Sequence, residues 1–225
     1  MQRADVGKPS IVVATRSTGK LRELASLCAA TGLNAVDLDD AGVEPGADED
    51  AIEVHASFAE NALAKARYFF ARTGRPVIAD DSGLVVRALG GAPGVRSKRW
   101  SGNDTLRAVE LDWANNRNLL ESLKSAQDRA ASFVCAAAYV DRDHEIVEMG
   151  EVTGEILREP MGSGGFGYDS VFYSPELGCT FAEAGEAAKA RVSHRARAFD
   201  RLFARLFADV DFPRGADTIP SPRGA

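Results

Sequence analysis

Two adjacent aspartates directly after a short apolar run constrain this chain more than any other feature. Pro76-Val77-Ile78 follows Gly74 and leads into Ala79-Asp80-Asp81-Ser82-Gly83, so a buried strand is expected to end at a pair of carboxylates. Like charges this close raise one another's pKa and require a cation, a shared proton or solvent. A divalent metal meets that need. An acidic turn, with Asp81 and Ser82 bonding nearby backbone before Gly83, accounts for the same five residues, and only the rest of the chain can separate the two readings.

The chain has 225 residues, 45% of them hydrophobic and 27% charged, which suits a globular domain able to bury a sizeable core. Its formal net charge of -6 argues against a broad nucleic-acid or anionic-membrane surface, because either partner would be repelled unless positive charge were concentrated locally. A polyanionic partner must then be small and met by a basic cluster or a metal. Cys28, Cys135 and Cys179 are odd in number and far apart, which suits neither a disulfide framework nor a zinc site. The N-terminus lacks the apolar segment of a signal peptide and no stretch reaches spanning length, so a cytoplasmic location is expected.

Ser10-Ile11-Val12-Val13-Ala14 reads as a strand, Thr15-Arg16-Ser17-Thr18-Gly19-Lys20 as a polar loop, and Leu21, Leu24, Leu27 and Cys28 recur at helical spacing. That order suits a phosphate, since N–H groups at the helix start, the hydroxyls of Thr15, Ser17 and Thr18 and the Lys20 ammonium can face one anion. A capped helix with a solvated lysine is the plainer reading. The P-loop pattern fails twice, with Ala14 in place of its first glycine and Leu21 in place of its magnesium-binding hydroxyl residue. Residues 37–51 are acidic and poor in large apolar groups, as in a long surface connection. After Glu53, Ser57-Phe58-Ala59-Glu60 forms a capping box opening a helix that runs to Gly74. Asn61 and Lys65 share its mostly apolar face, so Lys65 either snorkels to water or faces a phosphate-holding cleft.

Further along, a helix capped by Asp104 is expected to bury Val109, Trp113 and Leu119 and to leave Arg107 and Asp112 in solvent, which reads as packing only. Residues 132–140 and 145–149 read as an antiparallel hairpin turning at a solvated His144. Gly162-Ser163-Gly164-Gly165-Phe166-Gly167-Tyr168-Asp169 lets backbone approach a flat ligand, with Phe166 or Tyr168 available to stack on a base. A glycine loop anchored by its own aromatics fits equally. Ser193 is a natural cap for a last helix whose first turn carries His194 and Arg195, two cations that need an anion at that positive end. Residues 210–225 are expected to be a disordered tail and 1–9 a flexible start, leaving 10–209 as one domain.

Taken in order, these motifs resemble the inosine triphosphate pyrophosphatase family, enzymes that hydrolyse non-standard purine nucleoside triphosphates to the monophosphate and pyrophosphate. The resemblance runs from Ile11 to about Leu206. It rests on Ala14-Thr15 with Gly19-Lys20, Phe58-Ala59-Glu60-Asn61-Ala62 with Lys65, Ala79 to Leu84, Gly94-Val95 with Ser97 and Arg99, Gly164 to Asp169, and Ser193-His194-Arg195. It implies an α/β fold of two lobes on a long, mixed, twisted sheet flanked by helices, with the nucleotide in the cleft between the lobes, and a homodimer. It implies that Asp81 is the catalytic carboxylate and that Glu53 and Asp81 share Mg2+. Thr15, Arg16, Ser17, Thr18, Gly19, Lys20, Lys65 and Ser82 would grip the triphosphate. Phe166 would stack on the base, Gly167, Tyr168 and Asp169 would line its pocket, and Lys189, His194 and Arg195 would meet the 6-oxo purine.

Strand alternation separates the two aspartates, because neighbouring side chains point to opposite faces. Asp80 is therefore expected to support, orienting water or a neighbouring lysine. The chain departs from the family at Ser17, where Asn is normal, at Lys98, where a small Ala is, at Val152-Thr153, where Trp-Pro is frequent, and at Ser170, where Pro is usual. Altered packing or specificity is expected there. ITP, dITP and XTP are the expected substrates. A related pyrophosphatase for other modified nucleotides is one alternative, and a binding module without catalysis is another, which the presence of Glu53, Asp80 and Asp81 disfavours.

Overall fold

The protein is described by a computed structural model covering residues 9–103, 105, 106 and 108–210. Its strands are β1 (Ser10–Val13), β2 (Asn34–Val36), β3 (Val77–Val86), β4 (Ala130–Val140), β5 (Glu145–Ile156), β6 (Phe172–Ser174) and β7 (Cys179–Thr180). They form one sheet in the order β2-β1-β3-β4-β5-β6-β7, parallel where β1 meets β2 and β3 and antiparallel from β3 onward. The mixed α/β sheet expected from the sequence is present. Helix α1 (Thr18–Ala30) joins β1 to β2, and α2 (Phe58–Thr73) joins β2 to β3. The chain thus leaves β1 to one side and returns on the other, which opens a crevice at the carboxyl end of β1, the usual place for a ligand in such sheets.

Period-two alternation sorts the core into two layers. Ile11, Val13 and Ile78 pack with Leu24 and Cys28 of α1 and with Phe199, Leu202 and Leu206 of α5 (His194–Asp209). Val12, Val77 and Ala79 pack with Ala62, Ala66 and Phe69 of α2. A third cluster joins Leu84 and Val86 to Leu119 of α3 (Ala108–Ser122), Phe133, Phe172 and Phe181, the first residue of α4 (Phe181–Val192).

Three expectations change. Strand β3 does not end at the aspartates, and there is no acidic turn: β3 continues to Val86, paired with β4 from Val77↔Val140 through Asp80↔Ala137 and Asp81↔Ala136 to Val86↔Ala131. The ladder satisfies the backbone, so only the side-chain charges need partners. Residues 37–51 are not merely a surface connection, since Leu38 and Val43 are buried and Ala47–Ala51 forms a 3-10 turn. In α3, Val109 and Trp113 are 66% and 70% exposed, while Asn115 and Leu119, with Leu123 just past the helix end, make the buried stripe. A buried asparagine is tolerated there because Ser101 N–H donates to its Oδ1 at 2.8 Å and its Nδ2 donates to the Lys98 carbonyl at 3.1 Å. The β4–β5 hairpin is as expected, though longer, and His144 in its turn bonds Asp141. The expected Asp104 cap and solvated Arg107, residues 1–8 and residues 211–225 lie outside the described residues. Among the described residues, no helix is long and apolar enough to cross a membrane.

Candidate active site

Strand β3 sends its two aspartates to different helices. Asp80, fully buried, continues the Ile78 face toward α1 and α5, where Lys20 Nζ lies 3.0 Å from its Oδ2, Arg195 3.1 Å away, and the Ser82 hydroxyl donates at 3.1 Å. Burial pushes its carboxyl up, but Lys20, Arg195 and Lys65 outweigh burial and hold it far below the usual carboxylate range. Asp81 continues the Ala79 face toward α2, where Asn61 Nδ2 donates to Oδ2 at 3.0 Å and the Ser82 N–H to Oδ1 at 2.9 Å. Its carboxyl is pushed up, first by burial and then by Glu53, and Lys20, Lys65 and the Asn61 bond offset this only in part. One position of sequence separates a carboxylate whose pKa is held down by cations from one whose pKa is pushed up by burial.

Helix α2 delivers the Asp81 side of the site. Its cap is Ser57, whose Oγ accepts from the Glu60 N–H at 3.2 Å while donating to the Glu60 carboxylate at 2.8 Å. Asn61 also accepts the His55 N–H at 2.9 Å, which ties down the segment carrying Glu53. Lys65 is buried and pairs with Glu53, so it does not snorkel to water. Burial alone would discharge it, but Glu53, Asp80 and Asp81 keep its pKa raised. Lys98 belongs to the same group, its pKa lowered by burial and by Lys20 and Lys65, against the pull of Glu53.

Helix α1 starts at the crevice. Ser17 caps it, the Lys20 N–H donating to its Oγ at 3.4 Å and its own N–H to Thr15 Oγ1 at 3.2 Å, so Thr18 and Gly19 form the first turn beside Asp80. Arg16 is not brought into this group. Its guanidinium reaches Asp39 at 2.8 Å, Glu49 at 2.9 Å and the Val43 carbonyl at 2.8 Å, bracing the 37–51 segment, whose acidic residues supply its partners.

The glycine-rich loop closes on α1 from the other side. A Cβ at Gly19 would stand 2.7 Å from the Phe166 ring, so only glycine permits this approach. Buried Asp169 accepts from the Phe166 N–H at 2.9 Å and from Lys189 Nζ at 2.6 Å, and Gly165, at φ +72°, leaves room for that carboxylate. Of the two candidate stacking rings only Phe166 faces the crevice, with Lys189 Nζ 4.6 Å from its centroid. Tyr168 is core, its hydroxyl donating to the Ser97 carbonyl at 2.8 Å, so it anchors the loop. Gly167 is held by α3 at both ends of its peptide unit, its N–H donating to Asp112 at 2.7 Å and its carbonyl accepting from Asn116 at 2.8 Å. Asp112 is therefore not a solvated surface residue, nor is α3 packing only.

The expected pair of cations at the start of α5 is one cation. Arg195 is buried, and its anions are the protein's own Asp80 and Glu23. Burial, with Arg195 and Lys189 nearby, drives the His194 pKa well below its usual value, and its neutral ring stacks on Phe133 at 4.7 Å. Glu23 and Lys98 join the site without standing out in the sequence as site residues, Asp112 and Asn116 support its loop, and Asn61 stands out only within a motif. Glu23 had a usable signal: three residues after Lys20, it shares that face of α1 and pairs with both Lys189, at 3.0 Å, and Arg195.

The profile of the Ham1 family matches residues 11–205. The chain is 44% identical over 205 residues to the dITP/XTP pyrophosphatase of Burkholderia pseudomallei (strain K96243), covering 90% of this chain and 95% of that one. It is 44% identical over 201 residues to the dITP/XTP pyrophosphatase of Shigella flexneri, covering 87% and 97%. Among solved structures, a HAM1 protein from Coxiella burnetii superposes with a TM-score of 0.75 at 35% identity over 89% of this chain and 99% of that one. The nucleoside-triphosphatase / dITP/XTP pyrophosphatase from Mycobacterium abscessus gives 0.65 at 40% identity over 86% and 98%. With the family profile spanning nearly all of the described residues, and with relatives this similar along their whole length, the chain belongs to the Ham1 family.

Proposed function

We propose that this protein hydrolyses the non-standard purine nucleoside triphosphates ITP, dITP and XTP to the nucleoside monophosphate and pyrophosphate, by attack of water on the α-phosphorus. The observation that carries this reading is the division of labour at β3. Asp81 is a carboxylate of raised proton affinity, and beside it Asp80 fixes the cations Lys20 and Arg195. Relatives 44% identical over 90% of the chain bear the name dITP/XTP pyrophosphatase, which gives the substrate class.

The donor set fits Mg2+. Glu53 and Asp81 are two carboxylates near enough to repel, and no three His, Cys, Asp or Glu side chains among the described residues form a metal cage. Mg2+ typically uses one or two carboxylates together with phosphate oxygens and water, so it would arrive with the nucleotide. When bound, it neutralises phosphate charge and lowers the pKa of water. Asp81 takes the proton of the attacking water at its carboxylate. Lys20 and Lys65, with the first-turn N–H groups and hydroxyls of α1, hold the phosphates. Phe166 carries the base, and Lys189 and Arg195 supply N–H donors to an acceptor at its 6-position. The same reading has the protein working in the cytoplasm as a homodimer.

The test is kcat/KM across ITP, dITP, XTP, ATP, GTP and modified pyrimidine triphosphates, with and without Mg2+, scored for pyrophosphate. The first three should dominate, and Asp81→Asn should lose on the order of 10²–10⁴ in kcat without losing its unfolding transition. Orthophosphate as the first product, preference for pyrimidines, or normal turnover by Asp81→Asn overturns the reading.

A further inference from the structure

We infer that a basic cleft along α3, apart from the site above, binds a nucleoside phosphate, its phosphates held by Arg117, Arg129 and Arg158 and its base covering Trp113. The cleft measures about 480 Å³, within the range of roughly 300–1,000 Å³ that holds small ligands. Four of its lining residues are cations, Arg117, Lys124, Arg129 and Arg158, and a single lining carboxylate, Glu121, pairs with Lys124 at 3.2 Å. In a chain whose formal charge is -6, such a concentration is a local exception that an anion would relieve.

The arginines are arranged as a receptor more than as a stabilising network. Among the described residues Arg129 is fixed by main-chain carbonyls alone, with Nε donating to Ile156 at 2.5 Å and the two terminal nitrogens to Leu123 at 2.9 Å and Leu157 at 2.6 Å. Those bonds orient its guanidinium without neutralising it. Arg158 stands close enough to repel it, and neither Arg117 nor Arg158 has an ion pair among the described residues. One guanidinium held in place, with two more lining the same cleft, suits phosphate oxygens in geometry as well as charge. Trp113, 70% exposed beside them, supplies an open aromatic face. Asn116 lines the same cleft and donates to the Gly167 carbonyl, so one side chain separates this ligand from the Phe166 loop.

ADP, which lacks both a 6-oxo group and a γ-phosphate, is the probe, followed by equilibrium dialysis and tryptophan fluorescence on the full chain. Saturable binding is expected, retained in Phe166→Ala and weakened at least about tenfold in the Arg117→Ser/Arg158→Ser double variant, whose kcat for ITP stays at the parent level. Trp113→Ala should weaken ADP while leaving inorganic pyrophosphate unaffected. Absence of saturable ADP binding, or binding lost in Phe166→Ala but kept in the double variant, overturns the proposal. Equal loss of ADP and pyrophosphate in Trp113→Ala overturns the base contact. A change of mass by light scattering in the double variant, with no ADP bound by the parent, would assign the cleft to a second copy of the chain instead. The ADP measurements do not depend on ITP turnover, so failure of the proposed activity and failure of this cleft are distinguishable.

Discussion

Glu23 shows how much a single buried carboxylate organises. Burial works against its charge, yet Arg195 and Lys189 outweigh burial and hold its pKa below the usual value. It fixes two cations that flank the Phe166 ring, where Arg195 also lies 5.8 Å from the centroid. Glu23→Gln leaves both cations with one carboxylate fewer and should destabilise the fold by about 2 kcal/mol at pH 7. The sign of the pH dependence follows from linkage. A depressed folded pKa gives stability that is complete above the ordinary glutamate value of about 4.3 and is lost as pH falls through the lower folded value. Urea unfolding of parent and variant should therefore show a gap that is full at neutral pH and closes below about pH 4. A gap that is constant with pH would mean that Glu23 acts through packing and not through charge.

Among the elements, α3 departs most from its sequence pattern. A helix with Val109 and Trp113 exposed and Asn115 and Asn116 buried defies hydrophobic periodicity, because its buried amides serve loop backbones in place of a core. Asp112 and Asn116 clamp Gly167, and the loop they fix presents Phe166. Asp112→Ala removes a charge-assisted bond worth about 1.5–3 kcal/mol, so KM for ITP should rise roughly tenfold or more with kcat little changed, since Asp112 acts through the Gly167 backbone. Steady-state kinetics distinguishes this from a fall in kcat at constant KM, which would place Asp112 in the chemistry.

For the whole molecule, the consequential arrangement is the switch point beside β1, where α1, α2, α5 and the glycine-rich loop converge on one crevice. Ion pairs inside it tie these elements together: Asp80 joins α1 to α5, and Lys65 of α2 pairs with Glu53. Since no three-residue metal cage exists among the described residues, Mg2+ alone should scarcely move the melting temperature. Mg2+ with a non-hydrolysable ITP analogue at a hundredfold excess over Kd adds about 2.7 kcal/mol, a rise of roughly 5–10 °C for a chain of this size. Differential scanning fluorimetry reads both, and an equal rise with Mg2+ alone would indicate a resident metal site.

Local order determined much of this protein. The strand-loop-helix at 10–28, the Ser57 cap, the long hairpin and the ordered motifs that carry the family resemblance depend on neighbours in the chain, and period-two alternation was enough to send Asp80 and Asp81 apart. Tertiary structure decided which charge meets which. β3 runs past its aspartates because β4, more than forty residues later, completes its ladder, and the His194 pKa is driven down because burial, Arg195 and Lys189 surround it. Arg16 turns from the crevice because Asp39 and Glu49 lie across it, and α3 buries asparagines because distant loops need their amides. Charge, burial and hydrogen-bond partners are properties of spatial neighbours, and those neighbours come together only when the sheet forms.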